Sequence, residues 1–184
     1  MKFELSISLL TAAASVAAAP TGSSTFKVKA VAAGSAIDSK NFAAAQNNIY
    51  LNLAGQNAVC QNGSQDDATF YIRDGQLFLY ATKAAPQQLY ADRSGMGQGK
   101  LGYIRPGQNP PKNAELTGWS VDEAGNLGLN GAGFIACPGA NLDAWSVWVN
   151  AGVSQPAGNS GCVPVVAEVV DDGHPLSCYY SESS

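Results

Sequence analysis

Thr69-Phe70-Tyr71-Ile72-Arg73-Asp74-Gly75-Gln76-Leu77-Phe78-Leu79-Tyr80 is the stretch whose reading decides the fold. Two alternating runs flank Asp-Gly, the pair best able to hold the positive φ values of a type I′ turn. A two-residue loop at Asp74-Gly75 sets Ile72 opposite Leu77 and Phe70 opposite Leu79, so those four side chains share one face, directed at the core. Tyr71, Phe78 and Tyr80 fall on the other face with Arg73 and Gln76, and that face is too aromatic for a plain solvated surface.

A related pattern returns from Gly118 to Leu129, where Trp119, Val121, Leu127 and Leu129 make an apolar face and Ser120, Asp122, Asn126 and Gly128 a polar one. Phe26 to Val31, Ile49 to Leu53 and Trp145 to Val149 alternate in the same way. Beyond the leader described below, no ten-residue stretch has helical periodicity, and the Ala-rich piece from Asn41 to Asn47 is expected to form at most a single turn. Short strands, glycine-rich turns and a repeat of about 40–50 residues predict an all-β fold. Units at 25–68, 69–118 and 119–170 favour a β-trefoil-like barrel, with a β-sandwich as the alternative.

Outward from the strands, the N-terminus reads as a leader. Lys2, an apolar run from Leu5 to Val16 and the small residues Ala17-Ala18-Ala19 before Pro20 have the layout of a secretory signal peptide. The run is short for a membrane span, which needs roughly 20 apolar residues. Residues 1–19 are therefore expected to be cleaved, leaving 20–184 as a single secreted domain. The C-terminal end, Cys178 to Ser184, has no apolar tail of the roughly 10–20 residues that a lipid anchor requires, so no membrane anchor is expected.

The chain carries a net charge of −4, and only 13% of its residues are charged, against roughly 25% in ordinary soluble domains. Its ten basic residues are scattered and none follows Lys112. That argues against nucleic acid as a partner, since such binding needs clustered Lys and Arg. The four cysteines, Cys60, Cys137, Cys162 and Cys178, read as two disulfides in an exported chain. Four cysteines allow three pairings; the preferred one joins Cys162 to Cys178, tying the C-terminal tail, and Cys60 to Cys137. Asn62-Gly63-Ser64 is a glycosylation sequon in a polar, exposed stretch.

Catalytic chemistry finds little support. The single histidine, His174, precedes Pro175 in a turn-like context, and the cysteines are expected to be oxidised, which removes the usual base and thiolate. Glycosidase chemistry needs two facing carboxylates; Asp74, Asp92, Asp122, Glu123 and Asp143 are candidates, but Asp74, Asp122 and Glu123 sit where turns ordinarily want acids. No ligand set for a metal and no cofactor motif is present. Arg93 to Lys100 is glycine-rich, but it lacks the spacing of a nucleotide-binding loop. It reads as a flexible β–β connection, or else as a ligand-contacting loop. Trp119 and Trp145 read as structural. Trp148 faces away from Trp145 and Val147, and with Tyr71, Phe78 and Tyr80 forms a candidate stacking platform for sugar rings. The alternative is that these rings cover the ends of the barrel or pack under loops.

These residues resemble the PhiA-type cell wall proteins of filamentous ascomycete fungi. The likeness is densest over Ala68 to Ile72, Leu77 to Ala81 and Asp92-Arg93-Ser94-Gly95-Met96-Gly97-Gln98-Gly99-Lys100. It continues through Gly118-Trp119-Ser120, Ile135 to Pro138, Ala144 to Trp148 and Pro156 to Asn159, and takes in the four cysteines. The resemblance implies a secreted wall protein involved in forming asexual spore-bearing cells (phialides) and conidia, and IgE binding in some members. It supplies no catalytic residues. The leading expectation is a non-enzymatic wall protein partnered with wall polysaccharide or other wall proteins. A secreted protein-binding effector or antigen released to the medium is the second reading, and a glycan-active enzyme the third.

Overall fold

The computed structural model describes residues 24–140 and 143–183; the expected signal peptide lies outside them. Fourteen strands run through the described residues: β1 (Phe26–Val31), β2 (Phe42–Ala45), β3 (Asn48–Leu51), β4 (Val59–Cys60), β5 (Phe70–Arg73), β6 (Gln76–Leu79), β7 (Gln88–Asp92), β8 (Lys100–Ile104), β9 (Trp119–Val121), β10 (Leu127–Leu129), β11 (Phe134–Cys137), β12 (Trp145–Val149), β13 (Val163–Asp171) and β14 (Cys178–Tyr179). The fold is all-β. A short 3-10 turn stands at Pro156–Gly158.

The deciding hairpin forms in the register read from the sequence: Ile72 faces Leu77 and Phe70 faces Leu79. Asp74 and Gly75 take φ values of 52° and 69°, the left-handed pair that a type I′ turn demands. Phe70, Leu77 and Leu79 enter the core, and Ile72 packs against it partly buried. The second hairpin also forms as read, with Leu127 opposite Val121 and Leu129 opposite Trp119. Val121, however, is exposed, because it stands next to the turn, beyond the reach of the core.

Ten strands make one sheet in the order β11-β13-β1-β5-β6-β7-β8-β12-β3-β2, and β11 also pairs with β12. That extra ladder, Phe134↔Val149 to Cys137↔Ser146, turns eight strands into a closed circuit of pairings. The long β1–β13 ladder, Phe26↔Asp171 to Val31↔Val166, joins segments far apart in the chain. The β2–β3 hairpin attaches to this circuit through β12 and β8, while β9–β10 and β4–β14 are separate two-stranded sheets. The two hairpins that look alike in sequence thus occupy unlike places: β5–β6 is part of the circuit and β9–β10 is not.

A main core fills the interior, with two small clusters around Tyr50 and Trp148 beside it. Phe26 stacks on Phe70, Phe42 meets Phe134 edge-on, and Trp119 stacks on Phe134, with centroid separations of 6.2, 5.7 and 6.5 Å. Such pairs add about 0.5–1.5 kcal/mol each beyond the area they bury.

Two sequence expectations are corrected. The Ala-rich piece is not a helical turn but β2, buried along its length and paired with β3. Gln46 and Asn47, at φ 51° and 58°, form the tight turn between them. Small side chains suit a strand packed on both faces, and burial overrides the helix propensity of alanine. The preferred disulfide pairing is also overturned, since the bonds are Cys60–Cys178 and Cys137–Cys162. Sheet register decides this. Cys60 lies opposite Cys178 in the β4–β14 ladder, and Cys137 and Cys162 lie one step beyond the Ala136↔Val163 pair. The tail is tied as expected, but to a different partner.

Buried glutamines complete the fold where regular pairing stops. Gln56 accepts the Ala44 N–H at 3.1 Å and donates to the carbonyls of Gln65 and Asp67 at 2.8 and 2.9 Å. Gln87 accepts the Tyr180 N–H at 2.9 Å and donates to the Tyr180 carbonyl at 3.0 Å. Each primary amide thus satisfies backbone groups that would otherwise be buried without partners.

Candidate binding sites

The four aromatic residues proposed as a platform fall into two groups. Tyr71 and Phe78 are cross-strand partners whose rings stack at 5.3 Å and 19°. Tyr80 meets Tyr71 edge-on at 6.4 Å, and the Arg73 guanidinium lies over the Phe78 ring at 5.3 Å. Tyr71 and Phe78 are only 8% and 7% exposed, so much of their ring area is taken up by one another. Burial raises the Tyr71 phenol above its ordinary pKa, and the nearby Arg73 charge opposes the shift.

Trp148 stands apart from them, packed with Ile135, Cys137 and Cys162, and is 8% exposed. It does face away from Val147, whose side chain is in the core. Its indole N–H donates to Ser146 Oγ at 2.9 Å, and the Lys100 amine lies 5.5 Å from the ring centroid. This is a cation–π contact with a partly desolvated ammonium. Lys100 also donates to Asn48 Oδ1, and burial holds its pKa below the usual lysine value.

The glycine-rich run between β7 and β8 is tightly bonded rather than loose. Asp92 Oδ1 accepts the Ser94 N–H, and its carbonyl accepts the Gly99 N–H at 2.8 Å. Ser94 accepts from Gln98 and Gly97, and Gln98 Oε1 reaches across to the Ala157 N–H at 2.7 Å. Arg93 grips Glu115 through two parallel bonds of 2.8 and 2.5 Å, which raises the Arg93 pKa and lowers that of Glu115. The glycines serve close packing. Gly99 sits at φ 96°, where a Cβ would stand 1.9 Å from the Val149 carbonyl oxygen, and a Cβ on Gly97 would meet Asp92 Cγ at 2.2 Å.

This loop and the turn carrying Ala157 frame a shallow cleft of about 240 Å³, lined by Asp92, Met96, Gly97, Lys100, Trp148 and Ala157. Met96, at the loop tip, is 94% exposed. The sequence singled out Trp148 and the loop separately; their meeting depends on the Trp148↔Lys100 pairing of β12 with β8, which local pattern does not encode.

The remaining candidates are placed as follows. Asn62 is exposed, and so is His174. Asp74 lies in the first hairpin turn. Asp122 Oδ1 accepts the N–H groups of Ala124 and Asn126 at 3.0 and 2.8 Å, and these bonds lower its pKa. That is turn chemistry. Among the described residues no three His, Cys, Asp or Glu side chains gather as a metal would need, and no helix is long and apolar enough to cross a membrane.

Residues 26–181 match the family of PhiA-like secreted proteins. The chain belongs to that family. Its PhiA-like relatives include cell wall protein phiA of Aspergillus fumigatus, 45% identical over 172 residues, which span 94% of this chain and 92% of the relative. The protein of that name in Emericella nidulans is 42% identical over 183 residues, 98% of this chain and the whole of the relative. The Arthroderma benhamiae protein is 37% identical over 188 residues, with the same coverage. No solved structure matches the chain significantly. This PhiA-like protein is secreted and resides in the cell wall, and its relatives are named as wall proteins rather than as enzymes. The run from Asp92 to Lys100 lies within the matched residues and also shapes the Trp148 cleft.

Proposed function

We propose that the protein is a non-enzymatic wall component, retained by binding wall polysaccharide, that acts in the formation of phialides and conidia. The observation that carries the binding half is the cleft in which the Trp148 indole meets Lys100, Asp92 and the exposed Met96. An aromatic ring beside a few polar groups, bordered by a loop fixed by its own hydrogen bonds, is the chemistry of a sugar-contacting surface. Tyr71, Phe78 and Tyr80 form a second aromatic cluster that serves this reading as a support for the β5–β6 hairpin and a subsidiary contact. The exposed Asn62 is a glycosylation site in this proposal.

The test is a pull-down of the oxidised protein on insoluble chitin, β-1,3-glucan and α-glucan. Saturable binding to one polymer is expected, with Trp148→Leu, which keeps apolar fill but removes the π face, weakening it about tenfold. Binding to none of the three would remove the polysaccharide reading and favour the second one, a protein-binding effector or antigen released to the medium. The developmental half rests on the resemblance, and disruption of the gene is expected to lower the yield of conidia several-fold; normal conidiation would refute it. IgE binding is carried by the same resemblance and is checked by probing the purified protein with sera reactive to PhiA-type antigens.

The closed circuit of eight strands supports a barrel over a β-sandwich. The trefoil-like half of that expectation gains no support from the hairpins, which occupy unlike places.

A further inference from the structure

A larger cleft, of about 390 Å³, opens between the arm that follows β8 and the C-terminal tail. Its volume falls within the range of small-molecule sites, roughly 300–1,000 Å³. Half-buried Tyr90 contributes its ring. Tyr90 lies across its strand partner Gly102, where a Cβ would come within 2.9 Å of the phenol oxygen. Glycine therefore lets the ring lie along the sheet instead of standing off it.

The walls are pre-formed. On one side, the Arg105 carbonyl accepts the Gln108 N–H, the Pro111 carbonyl accepts the Ala114 N–H, and Glu115 exchanges both backbone bonds with Ala91. Pro110 and Pro111 fix their own φ within that arm. On the other side, Asn47 Oδ1 accepts both the N–H and the hydroxyl of Ser183 at 2.7 and 2.9 Å. Walls ordered before binding reduce the entropy lost on association.

The chemistry inside selects the ligand class. Gln108 and Asn109 present exposed neutral amides. The guanidinium of Arg105 is 3.7 Å from the Glu182 carboxylate, so the two charges nearly cancel. A phosphate would meet Glu182, a cation would find a single carboxylate, and an apolar ligand would strand the amides. A ring with apolar C–H faces and uncharged hydroxyls suits all of these groups. Burial and the Asp92 charge raise the Tyr90 pKa, keeping its hydroxyl a donor at wall pH.

We infer that this cleft is a binding site for an uncharged hexose unit, with Tyr90 as the stacking ring and Asn109 and Gln108 bonding its hydroxyls. The inference rests on the reading of the protein as a polysaccharide-binding wall component and adds a site separate from the Trp148 cleft. Titration calorimetry of the full folded chain with chitohexaose, laminarihexaose and maltohexaose tests it. One of the three is expected to bind, with Tyr90→Ala weakening binding at least tenfold, Asn109→Ala several-fold, and Tyr90→Phe less than either. Asn109 is exposed, so its variant keeps the test open should Tyr90→Ala misfold. Wild-type affinity in folded Tyr90→Phe, Tyr90→Ala and Asn109→Ala proteins, with loss in Trp148→Leu, would overturn this site and leave the polysaccharide reading standing. Polymer capture by the wild type without binding of any hexasaccharide would also overturn it. Failure of the wild type to bind either polymer or hexasaccharide would overturn both.

Discussion

Replacing Cys60 and Cys178 together by alanine is expected to lower stability by about 4–5 kcal/mol, a large share of the roughly 5–15 kcal/mol that holds an ordinary domain folded. The bond joins residues 118 positions apart. In the chain-entropy picture, cutting so long a loop releases about 5 kcal/mol into the unfolded state. Cys137–Cys162 spans only 25 positions, and the same reasoning gives about 3.5 kcal/mol. The ordering of the two double variants is therefore the discriminating result. Urea unfolding midpoints should fall further for the Cys60/Cys178 variant. A larger fall for Cys137/Cys162 would show that local packing, and not loop length, governs how these bonds stabilise the chain.

Tyr180→Ala is expected to cost about 4 kcal/mol. Tyr180 is wholly buried in the core cluster, and truncating a buried aromatic to alanine costs roughly 3–5 kcal/mol. Its hydroxyl oxygen also accepts the Thr69 N–H at 3.1 Å and a bond from Gln65 Nε2 at 3.3 Å. Tyr180→Phe should keep the ring and lose only these bonds, at about 1–2 kcal/mol. An alkaline signature accompanies the ring. Burial raises the phenol pKa to about 12 from its ordinary 10. The folded state thus favours the neutral form, and the stability this contributes is complete below pH 10 and lost as pH rises through about 12. Denaturant titrations at pH 8 and pH 11 should show a smaller difference in Tyr180→Phe than in the parent. Equal differences would show that Tyr180 does not couple ionisation to folding.

Elements whose information is local were legible. The Asp74-Gly75 hairpin was readable down to its register, because turn chemistry and a two-residue period specify the same pairing. The outward side of Trp148 followed from the same period. Pairings between distant segments were not legible: the β1–β13 ladder and the β11–β12 closure depend on which edges meet in space. The disulfides failed for that reason, since sequence distance carries no register. No sequence pattern marks Gln56 and Gln87, yet they are buried, because irregular backbone beside them needs partners that no strand supplies. The Tyr90 cleft has no local signature, because its two walls lie far apart in the chain.

The clasp between Cys60 and Cys178 also sets a timetable for export. At roughly 5–20 residues synthesised per second, Cys60 emerges some 6–24 s before its partner. In that interval Cys137 and Cys162 can already join. The early half of the chain therefore emerges before the native partner of Cys60 exists, and only a chain synthesised through Cys178 can supply it. A chain that stops short of Cys178 lacks the native partner of Cys60 altogether, so this clasp can form only on a chain carried to its last few residues.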